Sequence, residues 1–306
     1  MLQPVVTGLY AIAGTNTSNR IAAFDLDWTI IRSVHGRFMK SADDWAFLPN
    51  RISTLKGYRD AGYTLAIFTN QGFTGAKLTT ALNRINNIIA AIHAEGITPW
   101  VLVSTGKDIY RKPNTGMWQV LEQSLPIDKV NSFYCGDAAG RPGDHSDSDK
   151  MFASNIEIPF YTPEQIFPRN NISIPDTQAM FIFVGMPGSG KTTYYTQELQ
   201  PRGWVHINQD TLKTRPKVLA AARTALQSGR SVVIDATNPD PAKRRDFINM
   251  AIEYQVPTLI VYFVDNGYER NKLRPNPVPD IAYNMYYKNL VEPTQAIDLV
   301  PVVQIM

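Results

Sequence analysis

The stretch Gly185-Met186-Pro187-Gly188-Ser189-Gly190-Lys191-Thr192, directly behind the apolar run at residues 180–184, constrains this chain more than any other. Its spacing is G-x-x-x-x-G-K-[ST], with a strand-like run before it and a helix-like run after it, the pattern of a phosphate-binding P-loop. Gly185, Gly188 and Gly190 let the backbone curl around Ser189 so that its N–H groups converge on one point. The helix N-terminus behind the loop adds partial positive charge. From there Lys191 can reach terminal phosphates and Thr192 can offer its hydroxyl to Mg²⁺. A nucleoside triphosphate is the expected ligand.

At 306 residues the chain is about twice the usual domain length, so two domains are expected. After the loop, strands are predicted at residues 204–207, 231–234 and 259–264, with helices at 190–199, 216–227 and 241–254. Before it, strand-like runs at 5–13 and 20–25 flank the turn-rich residues 14–19 and read as a hairpin. Helices at 50–61, 78–95 and 115–123 then alternate with strands at 64–68, 100–103 and 132–135. Both halves read as α/β domains built from βαβ units around a parallel sheet. Pro159, Pro163, Pro168 and Pro175 break the pattern over 159–178, the expected junction, which places the domains at 1–168 and 169–306.

Composition narrows the setting. The net charge of +3 permits a nucleic-acid partner without requiring one. The single cysteine, Cys135, excludes a disulfide framework and points to a reducing compartment. Behind Phe133-Tyr134 it reads as a small buried residue rather than a nucleophile. Residues 1–13 lack a basic n-region and are broken by Pro4 and Gly8, unlike a secretory leader, and no apolar run approaches membrane-spanning length. An intracellular protein with no membrane partner is expected.

In parallel sheets the working residues collect at the carboxyl ends of the strands. In the first half every predicted strand ends in polar groups: Asp25 and Asp27, Thr69-Asn70, Ser104-Thr105, and Asp137. Side by side they would form one acidic pocket. A carboxylate can attack phosphorus, provided a cation offsets the repulsion between clustered anions and a phosphate. Mg²⁺ held by Asp25, Asp137 and a backbone group would do so, while the second aspartate, Asp27, serves as acid and base. Thr69 and Lys112 would hold the phosphoryl group.

Phe24-Asp25-Leu26-Asp27-x-Thr29, Phe68-Thr69-Asn70-Gln71, Tyr110-Arg111-Lys112-Pro113 and Gly136-Asp137-Ala138-Ala139-Gly140 resemble the phosphatase motifs of the haloacid dehalogenase superfamily. More narrowly they resemble the polynucleotide kinase 3′-phosphatases. The likeness continues through Asn208-Gln209-Asp210-Thr211 and Ile234-Asp235-Ala236-Thr237-Asn238, covering nearly the whole chain. It implies a haloacid dehalogenase-like 3′-phosphatase joined to a P-loop 5′-hydroxyl kinase that uses ATP and Mg²⁺. DNA ends would be the partners, single-stranded, nicked or broken, with RNA as the alternative, and the nucleus the compartment. Asp25 would be the nucleophile, with Asp25, Asp27, Asp137 and Thr192 forming the metal sites. Asp210 would be the kinase base, or else a helix N-cap; its role and that of Asp235 are interchangeable at this stage. Arg270, Lys272 and Arg274 would form a lid segment, with Arg274 as the first choice for the phosphoryl clamp. Lys213, Lys243, Arg244 and Arg245 could touch a DNA backbone, while Tyr283, Tyr286 and Tyr287 read as core. Two features depart from the pattern. Trp28 stands where the superfamily usually has glycine, and Asp144, Asp147 and Asp149 offer several candidates for a further metal ligand or a partner of Lys112, of which Asp149 fits the family spacing best.

Overall fold

A strand buried on both faces has to lie inside a covered sheet, and Ile21–Phe24 is buried at every position. The computed structural model, which describes residues 1–36, 38–264 and 267–306, builds a first unit, Met1–Pro168, around that strand. Its strands are β1 (Gln3–Val6), β2 (Leu9–Ile12), β3 (Ile21–Phe24), β4 (Ile31–Arg32), β5 (Ala46–Phe47), β6 (Thr64–Asn70), β7 (Trp100–Ser104), β8 (Phe133–Cys135) and β9 (Phe160–Tyr161). Seven of them form one sheet in the order β1-β2-β7-β6-β3-β8-β9, and β4 and β5 form a separate ribbon. The run β7-β6-β3-β8-β9 is parallel throughout.

Alternate residues of the central strands pack on opposite faces. Ala22 and Phe24 meet Leu55 of the helix Arg51–Asp60 and Ile85, Ile88 and Ile92 of the helix Gly75–Ala94. Ile21 and Ala23 meet Met117, Trp118 and Leu121 of Gly116–Ser124 and Phe152 of Ser148–Asn155.

The hairpin expected between residues 5–13 and 20–25 does not form. Gly8, at φ 87°, turns the chain inside the first run, so β1 and β2 are the hairpin. β2 then pairs antiparallel with β7, while β3, apolar on both faces, takes the centre between two parallel partners. The start of the expected junction is ordered structure. β9 joins β8, and Thr162 opens the short helix Pro163–Ile166 with a capping box.

The second unit, Arg169–Met306, carries a five-stranded parallel sheet. Its strands are β10 (Met180–Val184), β11 (Val205–Asn208), β12 (Val232–Asp235), β13 (Thr258–Phe263) and β14 (Val302–Ile305), in the order β11-β12-β10-β13-β14. Every residue of β10 is buried, and the P-loop leaves its carboxyl end at the middle of the sheet. The helix expected over residues 190–199 is α-helical only at Lys191–Tyr194 and widens to a π-helical turn at Tyr195–Leu199. There the Tyr195 ring stacks on His206 of β11 at 4.0 Å. Among the described residues no helix is long and apolar enough to cross a membrane.

Candidate active sites

Asp25 follows directly on β3, and its backbone N–H donates to Cys135 O of β8 at 2.8 Å, which ties the turn to the neighbouring strand. Lys112 reaches the same place from the loop after β7. Its ammonium, with three hydrogens to share among four acceptors, lies 2.5 Å from Asp25 Oδ1 and 2.8 Å each from Asp149 Oδ1, Phe68 O and the Tyr134 hydroxyl. The amide of Asn70 sets that reach. It accepts from Lys112 N–H at 3.0 Å and donates to Lys112 C=O at 3.1 Å, binding the peptide as a strand would. Asp149 also accepts from Ala138 N–H, so of the three loop acids it is the one that grips Lys112. Asp144 instead binds Arg141 and the Ala139 N–H.

Asp25, Asp137 and Asp149 bring one carboxylate oxygen each within 4.8 Å of one another. Burial pushes the Asp25 carboxyl up to about 7, with Asp149 and Asp27 adding to the effect and Lys112 opposing it. Burial and then Asp25 likewise hold Asp137 well above the carboxylate range. Burial alone would lower the Lys112 ammonium, but Asp149 and Asp25 outweigh it and raise it. The Cys135 thiol is buried and pushed up, so it is inert.

The carboxylate of Asp27 stands outside that trio. Its Oδ2 accepts from Gln71 Nε2 at 2.7 Å, and its Oδ1 is buried with no hydrogen-bond partner among the described residues. Gln71 Nε2 also donates to Thr69 Oγ1 at 2.9 Å, and Arg84 donates to Gln71 Oε1 at 3.0 Å. The backbones of Ser104 and Thr105 bond those of Gln71 and Gly8, and among the described residues the buried Ser104 hydroxyl has no hydrogen-bond partner. Trp28 is half-buried and sits at φ 62°, in the left-handed region that glycine enters freely.

In the second unit Gly185, Gly188 and Gly190 have φ of 154°, 80° and 97°. A Cβ on Gly188 would lie 2.2 Å from Gly267 O, so only glycine fits there. Lys191 is buried and folded back on its own loop, donating to Gly185 O at 2.8 Å, Met186 O at 2.7 Å and Ser189 Oγ at 3.3 Å. Burial lowers its ammonium to about 8, Asp235 opposing and Arg274 adding. Asp235 Oδ2, at the end of β12, accepts from Thr192 Oγ1 at 2.8 Å and Asn208 Nδ2 at 3.1 Å and bonds His206 Nε2 at 2.8 Å. Burial works against the Asp235 charge, but His206, Lys191 and Thr192 outweigh it and lower its pKa.

A cavity of about 920 Å³ is lined by Lys191, Thr192, Asp210, Asp235, Arg270 and Arg274. Asn208, not Asp210, caps the helix Gln209–Leu212, which leaves Asp210 exposed to the cavity. Arg270 Nε donates to Gly188 O at 3.2 Å, whereas Lys272 pairs with Glu269 at 2.8 Å. Of the four cations read as possible DNA contacts, Arg244 is fully buried. It is paired with Asp298 at 2.8 and 3.0 Å and bonded to carbonyls of Asn238, Pro239 and Val291, so it holds the fold instead. Tyr283, buried on the helix Asp280–Asn289, donates to Pro187 O at 2.9 Å and braces the P-loop, and Tyr286 is core.

Residues 20–167 match the family model "Polynucleotide kinase 3 phosphatase", and residues 180–220 and 214–271 match "AAA domain". The chain is 36% identical to the "Polynucleotide 3′-phosphatase" of Arabidopsis thaliana over half of its own length and a quarter of the relative's. It is 31% identical to a "Putative bifunctional polynucleotide phosphatase/kinase" of Acanthamoeba polyphaga mimivirus, covering 90% of this chain and 81% of that one. It is 35% identical to the "Bifunctional polynucleotide phosphatase/kinase" of Schizosaccharomyces pombe, covering 90% of this chain and 77% of that one. The chain belongs to this bifunctional phosphatase/kinase family.

As a family member it is an α/β protein with a phosphatase-type unit followed by a P-loop kinase-type unit. Three site residues escape sequence reasoning. Tyr134, on β8, reads as strand core but aims its hydroxyl at Lys112 and Asp149. Gln71 sits in the Thr69-Asn70-Gln71 motif with no role assigned by its type alone. Arg84 does carry a signal, being a charged residue at core-facing spacing beside Ala81, Ile85 and Ile88.

Proposed function

We propose that the first unit removes 3′-phosphates from DNA ends and that the second transfers the γ-phosphoryl of ATP to 5′-hydroxyl ends. The observation that carries this reading is a likeness running through both units to a relative named for both activities. Together the reactions leave a 3′-hydroxyl and a 5′-phosphate, the ends a ligase joins.

In the phosphatase half Asp25 attacks phosphorus, the bond to the 3′ oxygen breaks, and Asp27 protonates the departing oxygen. Asp27 then takes a proton from the water that hydrolyses the aspartyl-phosphate, releasing inorganic phosphate. Lys112 holds Asp25 and offsets the charge of nucleophile and phosphoryl group together, and Thr69 donates to a phosphoryl oxygen. The trio of Asp25, Asp137 and Asp149 offers hard oxygen donors crowded by like charge, a set that fits Mg²⁺. Mg²⁺ bound there supplies the positive charge that lets a phosphate approach Asp25.

In the kinase half Asp210 takes the proton of the 5′-hydroxyl as that oxygen bonds to the γ-phosphorus and ADP leaves. Its exposure to the cavity favours it over Asp235, which is buried and held by Thr192, His206 and Asn208. Lys191 turns from the loop carbonyls to the phosphates, Thr192 and Asp235 would hold Mg²⁺, and Arg274 steadies the γ-phosphoryl.

One oligonucleotide with a labelled 3′-phosphate and a free 5′-hydroxyl, given Mg²⁺ and ATP, tests the reading. Asp25→Asn should abolish only the 3′ reaction and Lys191→Ala only the 5′ reaction. The same oligomer in ribose form ranks DNA against RNA. Turnover of mononucleosides with none of the oligomer would overturn the proposal.

A further inference from the structure

Gln71 is 1% exposed, and its side chain links a buried cation to two groups of the phosphatase site. An arginine has only donors, so Arg84 at 3.0 Å requires that Gln71 present Oε1 to it. The amide nitrogen then faces the other way, and its two hydrogens go to Asp27 Oδ2 and Thr69 Oγ1. Among the described residues Arg84 has no ion-pair partner, and its Nε is buried without a hydrogen bond. Its charge is therefore directed at the Gln71 amide, which it polarises into a stronger donor.

Two consequences follow from donor and acceptor counting. The hydrogen bond from Gln71 favours Asp27 Oδ2 as the unprotonated oxygen, which leaves Oδ1, buried and without a hydrogen-bond partner among the described residues, as the oxygen to carry the proton that Asp27 passes to the departing oxygen. Thr69 Oγ1 is an acceptor towards Gln71, so its own hydrogen is left to donate elsewhere, as a phosphoryl oxygen requires. We propose that Arg84 and Gln71 are positioning residues for the phosphatase reaction, fixing which oxygen of Asp27 carries the proton and turning the Thr69 hydroxyl towards the phosphoryl group.

This rests on the phosphatase reading, which wild-type turnover of a 3′-phosphorylated oligonucleotide tests separately. Gln71→Glu puts an acceptor where the donor was. First-turnover release of the 3′-phosphate, followed by rapid quench, should fall about 30- to 100-fold, with KM held within about 3-fold. The kinase activity of the same molecules should be unchanged, and melting curves report whether the first unit folds. p-Nitrophenyl phosphate, whose leaving group needs no proton, should lose at least about 5-fold less in its first turnover. If Gln71→Glu does not fold, the arginine decides. Arg84→Lys keeps a cationic donor and should stay within about 5-fold of wild type, whereas Arg84→Met should fall about 30-fold. Equal losses on the two substrates, a KM effect without a change in first-turnover rate, or Arg84→Met matching Arg84→Lys would overturn the proposal.

Discussion

Among the described residues each unit buries one lysine, and the two lysines keep opposite company. Lys112 lies between Asp25 and Asp149, with a tyrosine hydroxyl and a carbonyl completing its shell, and its charge is matched within the fold. Lys191 rests on neutral acceptors, Gly185 O, Met186 O and Ser189 Oγ, and burial leaves its ammonium lowered to about 8. The surplus charge differs too. Around Lys112 three carboxylates crowd one ammonium, so that site draws a cation. Around Lys191, Arg270 and Arg274 share the cavity, so that site draws an anion. A buried lysine is thus part of the scaffold when its counter-ion is protein, and a receptor when its counter-ion is the ligand.

Removing each lysine is the largest test of that contrast. Lys112→Met strands two buried carboxylates, so the first unit should lose about 3–5 kcal/mol of stability and phosphatase turnover should fall at least about 10³-fold. Lys191→Met removes a desolvated charge whose hydrogen-bond acceptors are all neutral and which Asp235 and Asp210 offset only through space. Kinase turnover should fall on the order of 10³-fold while denaturant midpoints of the second unit hold or rise. Comparable destabilisation by both variants would erase the distinction drawn here.

The pH dependence sharpens it. Asp25 is raised from 3.8 to about 7, so the folded first unit binds protons more tightly than the unfolded chain and loses stability as pH rises across that window. Mg²⁺ should reverse the loss, so thermal shifts on adding Mg²⁺ should grow between pH 5 and 8. Lys191 is lowered from 10.5 to about 8, so the second unit gains stability as pH rises from 8 to 10.5. A bound triphosphate restores the ammonium. Nucleotide binding near pH 8 should therefore take up a proton, visible as a buffer-dependent heat in titration calorimetry, and affinity should fall as pH rises through 8. No buffer dependence would mean that Lys191 is charged before the ligand arrives.

The smallest expected effect separates space from backbone strain within the P-loop. Gly190→Ala meets no atom within 4 Å and carries only the penalty of φ 97°, about 1 kcal/mol without nucleotide. Gly188→Ala, driven into Gly267 O, should cost several times more on the same denaturation curves.

Short-range patterns made much of this readable. The P-loop declares itself in eight consecutive residues, and the strand ends that carry Asp25, Thr69 and Asp137 follow from local alternation of apolar and polar runs. Asp149 could be preferred among three acids by the spacing of the family that the chain resembles. What stayed hidden depends on partners far apart in the chain. Arg244 reads as a surface cation because Asp298, which buries it, lies 54 residues away. Asp210 could pass for a cap because Asn208, two positions earlier, is an equally good one. The first hairpin was misplaced because Gly8 interrupts an apolar run whose partner strand, β7, comes some ninety residues later. Gln71 is silent in sequence because an amide has no fixed polarity until Arg84 chooses which end it faces.

The grip of Asn70 on the Lys112 peptide has a consequence for how such a protein can vary. Because both polar atoms of that peptide are held from the end of β6, the lysine takes its position from the sheet rather than from the path of its own loop. Changes of length or character in the residues between β7 and Tyr110 should then displace the ammonium less than if the loop alone positioned it. A segment that would otherwise have to be inherited intact becomes a place where lineages can diverge and acquire new contacts around an unmoved centre.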